Sequence, residues 1–166
     1  VERRAGIENA RFLGKMLQGM ADNQIRTAGD YDKVIYDLGK KQIGLTNEIA
    51  AMKQKRTAYA AAAKHLQICR TYKSVWMEYV AKPLNQKTEY FNQHSMELQA
   101  YRTAAAKLEK EGIDQSVEID KVNNLAQSLE RKINDLDKQL RESNLQEQDY
   151  RQERKTLTTI QEDLFE

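Results

Sequence analysis

Cysteine, proline and tryptophan each occur once, and histidine twice, in a chain of 166 residues. A lone Cys69 forms no internal disulfide framework, which fits a reducing, cytoplasmic setting. No run of about 18 apolar residues occurs, so no segment reads as membrane-spanning and no membrane partner is expected. The sequence opens on Val1 rather than Met and carries no charged-then-apolar leader, so it reads as a piece of a longer protein. His65 and His94 lie far apart, and neither has a Cys or carboxylate at metal-ligand spacing, so packing or capping roles are expected and no metal or other cofactor. There is no phosphate-cradling glycine loop, no GxSxG elbow and no Cys–His–acid set. The carboxylates alternate with Lys and Arg in the manner of solvated helix faces. The chain is therefore expected not to be an enzyme by itself.

What is abundant points to helices. Ala, Leu, Gln, Glu, Lys and Arg dominate a composition that is 40% apolar and 31% charged, the bias of long helices rather than sheets. The expected fold is all-α: an elongated antiparallel helical hairpin or coiled coil of about four helices, with a narrow core seam. Residues 1–28 read as an N-terminal helix and turn. Residues 29–112 read as a long helical hairpin reversing near Pro83, and 113–166 as a long C-terminal helix.

Within the first part, Ile7, Phe12, Leu13, Met16, Leu17 and Met20 form one stripe over residues 5–20, ended by Gly19 and "ADNQIRTAGD". The second helix carries the strongest pattern. Tyr31, Ile35, Leu38, Gln42, Leu45, Ile49, Met52, Arg56, Tyr59, Ala63 and Leu66 are spaced alternately by four and three, as on a coiled-coil seam. The seam runs on through Cys69, Tyr72, Trp76 and Tyr79 until Pro83 stops the helix. The polar breaks at Gln42 and Arg56 fix register or mark places without a partner helix. A third helix over about 84–111 should bury Tyr90, Phe91, His94, Leu98, Tyr101, Ala105 and Leu108, stop at Gly112, and be followed by a cap from Asp114 or Ser116. The short connection at Pro83 makes the second and third helices antiparallel. The last helix, from about 115, repeats the seam from Val122 to Leu140; beyond it, Ser143, Glu147, Tyr150, Arg154, Leu157, Gln161 and Leu164 are poorly apolar and should fray or await a partner. The last helix either folds back as a third bundle member or continues against the second helix's first half; because the third helix is too short to cover the second, the latter is expected.

Charge is uneven. From Asp114 onward eight basic residues face thirteen acidic ones, leaving −5, whereas the preceding part carries +7. No acid occurs between Ile49 and Met77, an interval holding Lys53, Lys55, Arg56, Lys64, Arg70 and Lys73. With Lys82 these are the candidate nucleic-acid-binding residues. Two readings stand: the cations keep a long helix solvated, or they meet phosphates. The rings of Tyr72, Trp76, Tyr79, Tyr90 and Phe91 likewise either fill the hairpin tip or stack on single-stranded bases.

The stretch from Arg70 to His94, "RTYKSVWMEYVAKPLNQKTEYFNQH", also carries a family likeness. His65 is followed in order by Lys73, Val75, Trp76 and Tyr79, then by Tyr90, His94, the pair Ala104 and Ala105, and Gly112. Together with the upstream "FLGKMLQGMADNQIRTAGDYDKV", these resemble the C-terminal helical region of relaxases, the mobilisation nucleases of conjugative and mobilisable elements. Tyr90 stands where that family carries Phe, Cys69 where it usually has Tyr, and Tyr72 where it usually has Thr. The resemblance implies a parent that nicks DNA at a transfer origin with a Tyr nucleophile and a His-bound metal. It implies a non-catalytic accessory role for this region, contacting DNA, relaxosome or coupling proteins, or a second copy. In that picture His65, Val75, Trp76, Tyr79, Tyr90 and His94 are motif residues that pack the hairpin. A coiled-coil spacer or dimerisation arm without nucleic-acid contact is the alternative.

Overall fold

In a computed structural model that describes residues 2–165, with side chains described at 6 and 8–164, the protein is all-α. Among the described residues five helices follow one another: α1 (Glu2–Asp22), α2 (Ala28–Ala81), α3 (Leu84–Gln93), α4 (Ser95–Lys110) and α5 (Ile119–Phe165). There is no strand among the described residues. The expected third helix is thus two, divided at His94. The chain falls into two compact units, one of Val1–Glu48 with Leu136–Glu166, the other Ile49–Asp135.

The first unit is organised by the corner between α1 and α2. The Ile25 N–H donates to the Met20 carbonyl (2.8 Å) and the Gln24 N–H to that of Ala21 (3.5 Å), with Gln24 at φ 55. This is a Schellman closure in which a left-handed residue ends the helix and an apolar pair staples it. Three residues on, the Asp30 N–H donates to the Thr27 hydroxyl while the Asp30 carboxylate accepts from the Thr27 and Arg26 N–H groups. That reciprocal box starts α2. The corner places Ile25 and Met20 against Tyr31, Val34, Ile35 and Leu38 of α2 and Tyr150 and Leu157 of α5. Tyr31 is 0% exposed and meets Tyr150 at 6.1 Å between ring centroids, and Arg154 grips Asp32 with two hydrogen bonds of 2.7 and 3.3 Å.

Two expectations are corrected here. Of the α1 stripe, Phe12, Met16 and Met20 face inward, whereas Leu13 and Leu17 are exposed. The inward set follows an i, i+4, i+8 row, which Leu13 and Leu17 flank; the Ile7 side chain lies outside the described residues. The last third of α5 is helical to Phe165 and does not await a partner: Ser143 and Tyr150 are buried and Leu157 half-buried against this unit. One large ring, Tyr150, supplies the apolar surface that the otherwise polar seam lacks. Only Gln161 and Leu164 of that seam remain exposed.

In the second unit α2 reverses through Pro83. Glu111 and Ala58, Leu108 and Ala62, and Ala104 and Ile68 line shared grooves, and Tyr101 lies against Trp76, so α4 runs antiparallel to α2. The core joins Ala62, Leu66 and Cys69 of α2, Tyr101, Ala104 and Leu108 of α4, and Val122 of α5. Gly112, at φ 69, ends α4 with the same Schellman bonds: its N–H reaches Glu109 and that of Ile113 reaches Leu108. The next helix begins later than expected, at Ile119. Asp114 accepts from the Ser116 N–H (2.8 Å) and so closes a turn instead of capping α5. Arg70 donates to the Val117 carbonyl at 2.8 Å, tying the connection down. From there α5 passes antiparallel along α2, since Asn123 to Glu130 line a groove with Arg56 to His65.

Candidate nucleic-acid interface

α2 carries six of the seven candidate cations on unbroken helix, and its rotation separates them. At about 100° per residue, Lys53 and Lys64 lie within about 20° of each other, Arg56 lies about 60° to one side of Lys53 with Arg70 about 40° further on, and Lys55 and Lys73 share a direction near the opposite side. Among the described residues none of these six forms an ion pair. All are exposed except Arg56, which is half-buried where the seam meets α5. Arg70 is engaged with Val117, which makes it part of the scaffold. The seventh cation, Lys82, lies at the hairpin tip with its ammonium 5.2 Å from the Tyr90 ring centre. The structure therefore aligns Lys53 and Lys64 on one side of α2 with Arg56 at its edge, commits Arg70 to Val117, and turns Lys55 and Lys73 away together.

Lys64 and Arg56 border an open groove of about 570 Å³ whose far wall is α5. Small side chains at Ala60, Ala61 and Ala126 form its floor, with Asn123, Gln127 and Glu130 opposite the cations. The α5 residues were not legible as site residues in the sequence. The signal was there, an amide pair one helical turn apart flanking an alanine, but such pairs are common on solvated faces. His65 closes one end of the groove. Burial, with the nearby Lys107 ammonium adding to it, lowers the imidazole below the ordinary histidine range, so His65 is neutral at neutral pH.

The motif residues at the tip pack on one another. Trp76 stacks on Tyr101 at 5.0 Å and 18°, Tyr79 meets Phe91 at 6.0 Å, and Tyr90 meets His94 at 4.4 Å. The Tyr90 hydroxyl donates to Glu78 (2.8 Å), and burial followed by that bond raises its pKa. His94 Nδ1 lies 3.0 Å from Glu97 Oε2 at the break between α3 and α4. Lys87 and Arg102 lie over the Tyr79 and Trp76 rings at 5.6 and 5.7 Å. The rings are half-buried, with cations rather than open space over three of them. Val75 is half-buried in the same turn.

A second groove lies in the first unit, bordered by Arg151, Arg154, Lys155 and Thr158. Its arginines are already paired, Arg154 with Asp32 and Arg151 with Glu147. No group of three or more metal-ligating side chains occurs among the described residues, and no described helix is long and apolar enough to cross a membrane. No protein-family model, curated protein or solved structure matches the chain.

Proposed function

We propose that this chain is a non-catalytic helical accessory region that holds nucleic acid, and that it serves a cytoplasmic DNA-nicking parent of the relaxase kind. The observation that carries the reading is the cationic side of α2. Lys53, Arg56 and Lys64 share it, no acid occurs between Ile49 and Met77, and no described carboxylate pairs with any of the three. Unpaired cations at the spacing of helical turns are suited to phosphates, whose counterions they displace. The spacing of His65, Lys73, Val75, Trp76, Tyr79, Tyr90 and His94 supplies the link to relaxases. Relaxosome or coupling proteins are further partners in this reading.

The alternative of a dimerisation arm draws less support. Its seam was to be Ser143 to Leu164, and Ser143, Tyr150 and Leu157 are occupied inside the first unit.

Fluorescence anisotropy with labelled single-stranded and hairpin DNA tests the reading. The double variant Lys53→Glu, Lys64→Glu is expected to weaken binding by about tenfold or more while leaving helical circular dichroism unchanged. Equal affinity in the variant and the parent chain would remove the nucleic-acid reading.

A further inference from the structure

The groove between α2 and α5 has a composition that selects among nucleic acids. Arg56 and Lys64 stand on its α2 rim, Asn123 and Gln127 on its α5 rim, and Ala60 and Ala126 on its floor. We propose that this groove is the path of an unpaired polynucleotide strand. The proposal rests on the reading of the Lys53, Arg56 and Lys64 side as a nucleic-acid surface, and adds to it which form of nucleic acid is bound and where.

Arg56 and Lys64 are eight residues apart, about 12 Å along the helix axis, so the backbone of one strand running beside α2 meets both. The alanine floor leaves the room that a larger side chain would occupy, and sugars and bases fit there without displacing core residues. Asn123 and Gln127 lie one turn apart on α5, and each amide offers both a donor and an acceptor. Such groups pair with the Watson–Crick edges of bases only where those edges are free, as in single strands. Glu130 accepts from a ring N–H or amino group on a free base edge, the N3–H of thymine included. Its single charge is outweighed by Arg56 and Lys64, so the groove stays net cationic with His65 neutral. A duplex has its pairing edges occupied and offers these groups no free Watson–Crick edge.

The test uses the whole chain and labelled oligodeoxythymidylate of about 20 nucleotides, longer than the ~4–16 nucleotides that strand-binding grooves typically cover. Ala60 is exposed, so Ala60→Leu fills the groove without touching the core. It is expected to weaken strand binding by about fivefold or more and to leave binding of a blunt duplex within about twofold. If Ala60→Leu shifts the melting temperature, the double variant Asn123→Ala, Gln127→Ala decides instead, with the same expectation. Oligouridylate of equal length tells DNA from RNA, and groove-dependent binding of either strand supports the path. Unchanged strand affinity in the groove variants, with Lys53→Glu, Lys64→Glu still weakening it, would overturn the groove and leave the broader reading standing. Unchanged affinity in all variants would remove both. Competition by polyglutamate as effective as by the unlabelled strand would also overturn the proposal, because the groove would then be a general anion surface.

Discussion

Gln24 holds a left-handed backbone conformation, φ 55, that costs an L-residue roughly 1–2 kcal/mol. It is kept there by the closure of α1 and the packing of Ile25, which is 3% exposed. Gln24→Gly is accordingly expected to raise stability by about 0.5–1 kcal/mol, less than the full strain because glycine also loosens the unfolded chain. Thermal denaturation reads this as an increase of a few degrees, and a lower melting temperature would contradict it. A second residue-scale expectation concerns Asp30. Hydrogen bonds from the Arg26 and Thr27 N–H groups lower its carboxyl pKa below the ordinary value. A lowered pKa means the contribution is complete above the ordinary carboxylate value of about 4 and is lost as pH falls through the lowered folded value. The melting temperature of the parent chain should therefore fall more steeply between about pH 4 and pH 2 than that of Asp30→Ala. Parallel curves would show that the box does not bind the proton differently in the two states. Tyr31 and Glu153 show a different effect: burial raises both pKa values, although the Tyr31 hydroxyl has no partner in hydrogen-bond geometry.

At the scale of the helices, the seam of α2 was legible because its four-and-three spacing persists from Tyr31 to Leu66 and continues less strictly to Tyr79, and every one of those positions is buried or half-buried. The later seam of α5 was legible in spacing but not in outcome: Ser143, at 3% exposure, is buried with its hydroxyl lacking a hydrogen-bond partner. The break at His94 carries no proline or glycine, and the apolar spacing from Tyr90 through Leu98 keeps its phase across it, so the sequence reads as one helix. The late start of α5 depends on which backbone N–H the Asp114 carboxylate chooses, a choice made within two residues and invisible to periodicity. The cationic side of α2 was half legible. The absence of acids could be read directly, but its sorting into Lys53, Arg56 and Lys64 on one side needs the helix to run unbroken. The opposing amides of Asn123 and Gln127 needed the pairing of α2 with α5. Packing also sets how much each element tolerates. Leu66 is 0% exposed at the centre of the second unit's core, whereas Leu84, beside Pro83, is 87% exposed. Leu66→Ala is expected to cost about 2–5 kcal/mol in urea unfolding and Leu84→Ala less than about 0.5 kcal/mol. Similar losses in both would refute this placement of the core.

For the molecule as a whole, charge and core are divided between the compact units. Residues 49–135 hold fourteen basic and ten acidic side chains, +4, and the remaining residues thirteen and fifteen, −2. The unit with the cationic side of α2 is thus the one with the positive balance, which favours phosphate partners at low salt and makes their binding fade as salt rises. The most direct test is the slope of log affinity against log salt for single-stranded DNA. Three phosphate contacts from Lys53, Arg56 and Lys64 predict a slope of about −2, most of which should vanish in the triple alanine variant. A slope near zero, or one indifferent to these three substitutions, would contradict the account.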